Sequence, residues 1–562
     1  MKEIRNISRS RAQESSAAIE RLYITMRHLF NRGFYKPMGV SGETLREALF
    51  SLRPEIYGSI AGEKVELNGL LYVIERLPVG IEECRFINLT SDEGYSKSHF
   101  QAIVPPKRRR NCYRIDDEQM NIEITRGRSD IYDVLTHLTF AFIESHKIKN
   151  KVVLDETERE VTRDWEKLEE IVREDKELTL IEKERAVSHV SNVLGRSFSE
   201  VIDIYDSFGT REKPDRFLHI IYWLGKLAIE EVIDNTKRTI TFSPILRERL
   251  GHHLHGETWA NNIKDVLSAN NLLERPIHII SANMHSVMNS IFAPAVLKSK
   301  FQNKSDFMIY EELSKSGTGE LRQEVQKIAQ KNGMVFLPDE SGTNIDVQIF
   351  DTSKIDWSKT NFPNVKTEGE FPVLLVMDYA FGEQAYETID ELLKPYKQDE
   401  TKTFLNVKSV SIMGKAGILE GGKGDIMIPT AHINEGTADN YPFDNELKAA
   451  MFQGNGIAVY EGPMVTVLGT SLQNKDLLKF FHESTWGVIG LEMEGAYYQK
   501  AIQSASKIRK SIPSDVKVRY AYYASDNPLE TGSTLASGGL GTTGVKPTYL
   551  ITIKILEQIF NI

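Results

Sequence analysis

The sequence predicts an α/β protein of several domains, in which a mixed, largely helical N-terminal region precedes an α/β domain. Three observations lead there. The chain has 562 residues, several times the roughly 100–200 that one domain holds. From about residue 275 onward, short apolar runs that read as buried strands alternate with helical periodicities, the grammar of an α/β sheet. Finally, 41% hydrophobic and 26% charged residues are ordinary for a folded globular protein and exclude disordered, collagen-like and membrane-spanning classes.

The elements follow in order. Over 16–34, Ile19, Leu22, Tyr23, Met26, Leu29 and Phe30 recur at helical spacing, which predicts one amphipathic helix. Gly69–Ile74 reads as a strand-like run. From Glu156 to about Asn235 the pattern is helical and charge-rich, broken by Gly209 and Pro214, with an apolar stretch at Phe217–Leu227. These shifts divide the chain into an α+β region over 1–150, a helical region over 151–245, a connector over 246–274 and an α/β domain over 275–562. Within the last, strands are expected at Pro276–Ser281, Phe371–Met377, Val407–Met413, Ile426–Pro429, Ile457–Tyr460, Met464–Leu468 and Val518–Ala524. Helices are expected over Glu383–Lys394, from near Glu492 and from Thr548, and a glycine- and serine-rich loop precedes the last of them.

A net charge of −10 gives no global basic field to gather nucleic acid. The compact run Lys107–Arg110 (KRRR) reads either as a solvated loop or as a contact for an anionic effector or RNA. Two cysteines, Cys84 and Cys112, make neither a disulfide framework nor a cysteine metal site, which suits a reducing compartment. The first thirty residues mix charges throughout and read as neither signal peptide nor membrane span. A cytoplasmic protein without membrane or nucleic-acid partners is expected. His252, His253, His255 and Glu257 cluster in GHHLHGE, but the spacing is not the i, i+4 pair that sets two imidazoles on one helix face, so no metal is expected.

Three segments place polar groups at the ends of predicted strands, where open α/β sheets carry their ligands. In MGKAGIL, Gly414 and Gly417 allow tight turning and close backbone approach to a phosphate or ribose; an ordinary structural turn reads equally well. In GLEMEGAYYQKA, Glu492 and Glu494 flank Met493 where a strand runs into a helix. A carboxylate there can accept two vicinal ribose hydroxyls, or simply favour the helix N-terminus. In YYASDNPLETG, Ser525 and Asp526 follow an apolar-aromatic run. A buried aspartate with a raised pKa can hand a proton to a departing base, while Ser-Asp-Asn-Pro is also good turn chemistry.

In order and spacing these segments resemble the purine nucleoside phosphorylase/uridine phosphorylase superfamily, which includes the methylthioadenosine/S-adenosylhomocysteine nucleosidases and AMP nucleosidase. The resemblance runs from about Arg275 to the C-terminus through PIHIISAN, VMDYAFGEQAYETIDELL, GKAGIL, GDIMIPTAHINEGT, GLEMEG and SDNPLETG. The closing SDNPLETGSTLASGG, with a separate N-terminal region, is most similar in layout to AMP nucleosidase, while AHINEGTADNYP also resembles the uridine-phosphorylase-like branch. The resemblance implies a three-layer α/β domain with a mixed sheet and cleavage of an N-glycosidic bond without metal or organic cofactor. It implies that Glu494 holds the ribose 2′- and 3′-hydroxyls, with Met493 under the sugar and Glu492 in support. Asp526 would protonate or hydrogen-bond the purine N7, oriented by Ser525. A homo-oligomer is expected by analogy.

The chain departs from the phosphorylases where these place phosphate-gripping arginines: the two positions read Ala282-Asn283-Met284-His285 and Ser411-Ile412-Met413. Each charge-assisted bond lost there is worth about 1.5–3 kcal/mol, which favours hydrolysis. Where the thioadenosine nucleosidases activate water with a glutamate, His285 is the candidate base, although a polar histidine under a loop reads equally well. Gly414, Lys415 and Asn283 are candidate substrate contacts. Lys415 would neutralise a substrate phosphate or replace the missing arginines, or else is simply solvated. Phe480, Phe481 and Trp486 are candidates to stack on the base or to pack in the core. The expectation is therefore hydrolysis of a purine nucleoside or AMP-like nucleotide, with water as second substrate. The alternatives are a phosphate-dependent phosphorylase and a nucleotide-binding sensor that lost turnover.

Overall fold

The computed structural model describes residues 2–302, 304–366, 369–398, 400–437, 439–530 and 540–562. The chain divides into two compact units, one of residues 1–252 with 471–477, the other of residues 253–470 with 478–562. Among the described residues no helix is long and apolar enough to cross a membrane.

The first unit opens with helix α1 (Lys2–Arg32), on which Ile19, Leu22, Met26, Leu29 and Phe30 are buried, as their spacing requires. Its sheet runs β1 (Phe34–Tyr35), β5 (Thr239–Phe242), β2 (Phe86–Thr90), β4 (Gln119–Glu123) and β3 (Cys112–Arg114), with β5, β2 and β4 mutually parallel. Helix α2 (Arg128–Val152) packs against α3 (Arg216–Ile233), which contains the apolar stretch Phe217–Leu227. Gly69–Ile74 corrects the strand expectation: it belongs to the helix Leu67–Ile74, which buries Leu70, Tyr72, Val73 and Ile74. A short run that is apolar on every side carries no period to tell strand from helix.

The basic run is only partly solvated: Lys107 and Arg109 are exposed, while Arg108 and Arg110 are drawn in. Arg108 grips Asp133 with two bonds, Nη2–Oδ1 at 2.6 Å and Nε–Oδ2 at 2.8 Å. Arg110 reaches Asp130 at 2.7 Å and Asp133 at 2.6 Å, both in the first turns of α2. Burial works to raise the Asp133 carboxyl, but Arg108 and His137 hold it well below its ordinary value. A carboxylate with a depressed folded pKa stabilises above its unfolded pKa and loses that contribution as pH falls toward the folded value. Asp133→Asn is expected to destabilise this unit by about 3–5 kcal/mol at neutral pH, because it strands buried guanidinium groups. A urea unfolding curve displaced by less than about 1 kcal/mol would mean that the cluster does not hold the unit together.

The second unit is built on a ten-stranded mixed sheet. Its parallel centre is β9 (Val373–Met377), β6 (Ile277–Ser281), β10 (Val407–Ile418) and β15 (Lys517–Asp526). The antiparallel β8 (Val347–Asp351) and β7 (Met334–Leu337) extend it on one side. On the other, β11 (Ile426–Asn434), β13 (Val459–Thr466) and β14 (Gly490–Glu492) pair in parallel, with β12 (Asn440–Pro442) at the edge. Because β14 also pairs with β10, and β11 with β15, these five strands close into a ring.

Alternate residues of the parallel strands feed two cores. Ile277, Ile279, Val373, Leu375 and Met377 face Trp259, Ile263 and Ile389 of α4 (Leu254–Ala269) and α8 (Gln384–Leu392), together with Ala501 of α9 (Gly495–Gln503). Ile280, Leu374 and Val376 face Val287, Ile291, Tyr310, Val325 and Ile555 of α5 (Met284–Leu297), α6 (Asp306–Ser314), α7 (Gly319–Lys331) and α10 (Val545–Phe560). Helices on both faces of a sheet make the three layers.

Two strand expectations are corrected. Ile457–Tyr460 and Met464–Leu468 form the single strand β13, running through Gly462 and Pro463. The register against β11 shifts between Pro429 and His432, an irregularity that absorbs a proline unable to donate. Likewise β10 does not stop at Met413 but continues through Gly414 and Gly417 to Ile418. Of the predicted loop before the last helix, residues 531–539 lie outside the described residues.

Candidate active site

The parallel strands end together, and a cavity of about 290 Å³ opens there, near the low end of small-molecule sites. Ser281 closes β6, Tyr379, Ala380 and Phe381 follow β9, and Ser525 comes from the end of β15; Met413–Gly417 of β10 form the floor, and Glu492, Met493 and Glu494 the far wall. Gly414 and Gly417 are not turning positions, since neither has a positive φ. A Cβ at Gly414 would stand 3.4 Å from the Tyr379 ring, an ordinary van der Waals contact.

Glu494 stands at the N-cap position of α9 and lines the cavity, where its Oε1 accepts the Gly382 N–H at 3.0 Å. Gly382 adopts φ +56° to present that group, a conformation that suits glycine. Glu492 is turned back instead. It accepts the Glu494 N–H at 2.5 Å, the Gly495 N–H and the Thr466 hydroxyl, so it holds the strand-to-helix corner on which Glu494 stands.

At the end of β15 Ser525 lines the cavity, whereas Asp526 next to it is 1% exposed and does not. Its Oδ1 accepts the Ser525 hydroxyl at 2.5 Å, which also reaches the Ala416 carbonyl at 3.0 Å, while Oδ2 has no hydrogen-bond partner among the described residues. Burial pushes the Asp526 carboxyl above its ordinary value, with the Ser525 bond and Lys423 and Lys415 pulling part of the way back. One oxygen is thus left uncommitted on an acid that holds its proton more tightly than usual.

Asn283 and His285 line a neighbouring cavity of about 350 Å³ instead of the one that holds Glu494. Lys415 and Tyr523 belong to both. Asn283 caps α5, its Oδ1 accepting the His285 N–H at 3.1 Å. The surrounding protein and then the Arg322 guanidinium lower the His285 pKa, with Asp378 opposing them. No aspartate or glutamate lines this second cavity among the described residues, whereas Arg322, Lys415, His285 and the starts of α5 and α10 do. That is an environment for an anion.

Sequence reasoning missed the aromatic lining and the arginine. Tyr379, Phe381, Tyr498, Tyr522 and Tyr523 surround the first cavity, while Phe480, Phe481 and Trp486 do not line it. Tyr379 and Phe381 could have been suspected because they lie just past the end of a buried strand, and Tyr522 and Tyr523 because they sit in VRYAYYA. Arg322 lies on α7, remote in sequence from every motif, and carries no local signal. His255 of the histidine cluster is buried and donates from Nδ1 to the Ser341 carbonyl at 2.7 Å.

A family described as "Family of unknown function (DUF6909)" matches residues 43–310 and 297–561. No curated protein matches. Among solved structures, the chain is similar to futalosine hydrolase of Helicobacter pylori, with 11% identity over 51% of this chain and 99% of that one, at a TM-score of 0.31. It is similar also to the 5′-methylthioadenosine/S-adenosyl homocysteine nucleosidase of Campylobacter jejuni, with 11% identity over 51% and 100% of the two chains and a TM-score of 0.31. A uridine phosphorylase from Schistosoma mansoni shows 11% identity over 51% and 87%, with a TM-score of 0.30.

Proposed function

Since the chain belongs to the DUF6909 family, whose function is unknown, its activity has to be read from the cavity, and we propose that it hydrolyses the N-glycosidic bond of a purine nucleoside or AMP-like nucleotide. The observation that carries this reading is that Glu494 and Ser525 line one cavity, with the buried Asp526 beside Ser525 and hydrogen-bonded to it. Glu494 accepts the two ribose hydroxyls and favours the positive charge that develops on the sugar. As the bond from C1′ to the base nitrogen breaks, its electron pair moves into the base and the Asp526 proton passes to purine N7. Water adds to C1′ and gives up a proton to solvent, from which Asp526 is finally reprotonated. The products are free base and ribose or ribose 5-phosphate.

The second cavity supports a phosphate-bearing substrate, because Arg322 and Lys415 stand beside the first cavity with no carboxylate among its described lining. The same lining favours the one alternative worth testing, in which inorganic phosphate occupies it and attacks C1′ in place of water. Purified protein is offered AMP, adenosine, methylthioadenosine, inosine and uridine, with and without phosphate. Release of adenine from AMP without phosphate is expected, and Arg322→Gln should weaken AMP more than adenosine, by about tenfold for one charge-assisted contact. Strict phosphate dependence replaces hydrolysis by phosphorolysis. No base released from any of them overturns both readings and leaves a nucleotide sensor.

A further inference from the structure

Behind the Glu492 corner lies His432, fully buried on β11. Neither ring nitrogen has a hydrogen-bond partner among the described residues. Its Nδ1 stands 3.4 Å from Glu492 Oε1. Aromatic rings fix the imidazole in place: Phe443 stacks on it with centroids 5.2 Å apart, and Tyr520 and Tyr522 meet it edge-on at 4.8 and 6.2 Å. The start of α9 is shaped around it as well, since a Cβ on Gly495 would lie 2.3 Å from His432 Cε1. The closing glycine of GLEMEG and the histidine of AHINEG, some sixty residues apart, therefore form one packing unit.

A buried carboxylate needs compensation for its lost hydration. Glu492 has the Thr466 hydroxyl and two backbone N–H groups, and no lysine or arginine lies within ion-pair distance of it among the described residues. His432 is the one basic side chain within ion-pair distance among the described residues, and the Tyr520 hydroxyl donates to Gln499 Oε1 instead. We propose that His432 is a positioning residue that carries its proton on Nδ1, the nitrogen that lies 3.4 Å from Glu492 Oε1 as a polar contact short of a formed hydrogen bond. So placed, it locks the Glu492 corner and leaves Glu494 as the carboxylate presented to the ribose. That last consequence rests on the nucleoside reading; the tautomer and its coupling to Glu492 do not.

The test uses the full chain labelled with 15N-histidine, the His432 signal being identified by its loss in His432→Gln. A protonated Nδ1 whose resonance moves in Glu492→Gln is expected; a neutral ring protonated on Nε2, or one blind to Glu492→Gln, overturns the proposal. Calorimetry supplies the second arm, with adenosine and 2′,3′-dideoxyadenosine as probes. His432→Gln should weaken adenosine about tenfold, the scale of losing one partner in a coupled polar network, and leave the dideoxy compound unchanged. Equal weakening of both means general loosening and overturns the positioning role. If the unaltered protein binds neither compound, the nucleoside reading fails while the spectroscopic result still decides the His432–Glu492 contact.

Discussion

Asp526→Asn lowers turnover by about 10²- to 10⁴-fold, the range for removal of a general acid, and leaves nucleoside affinity within a few-fold. Asparagine keeps the shape and can still receive the Ser525 hydroxyl that Oδ1 now accepts, so Ser525, which lines the cavity, keeps its place. What it lacks is a transferable proton. A drop in kcat with little change in binding is the signature of an interaction made chiefly in the transition state. Burial raises the Asp526 pKa, so the acid form persists to higher pH than for a free carboxyl, and activity falls as pH rises through that raised value. The asparagine variant has lost this basic limb. Stability follows the same sign: a raised folded pKa contributes stability at low pH and forfeits it as pH climbs from the unfolded value through the folded one. The variant should therefore melt no lower than the parent at neutral pH, which separates lost chemistry from lost fold. Full turnover in Asp526→Asn sinks the mechanism.

Glu494→Ala reduces affinity and turnover together, by about a hundredfold in kcat/KM, the equivalent of one or two charge-assisted hydrogen bonds. The carboxylate lines the cavity, tethered by the Gly382 N–H, and its two acceptor oxygens match two vicinal hydroxyls. The loss should be large for ribonucleosides and small for 2′,3′-dideoxy analogues. Equal losses for both would mean that Glu494 shapes the pocket without reading the sugar. Glu492→Ala is not equivalent, because that carboxylate holds the backbone N–H groups of residues 494 and 495.

Much of the second unit was legible because its strands are short, apolar and bounded by turn residues. PIHIIS, FPVLLVM and VKSVSIM all became parallel neighbours. The misreadings share a cause. Gly69–Ile74, Gly414 and the two separate strands Ile457–Tyr460 and Met464–Leu468 are local readings, and in each the neighbouring structure prevails: helix packing, a long paired strand, and one strand continuous through Gly462 and Pro463.

The site divides along the same line. Which carboxylates stand at strand ends is local information, and Glu492, Glu494 and Asp526 could be picked out from a strand running into a turn or helix. Sequence by itself thus determined the α/β class, the strand ends and the acids placed there. Tertiary structure alone decided that Glu492 turns inward to hold the corner while Glu494 lines the cavity. It also decided that Arg322 comes beside Lys415, and that His432 lies against Glu492. The reason is physical: periodicity and turn chemistry act over a few residues, whereas a pocket is made by side chains that meet only when the sheet closes and excludes water between them.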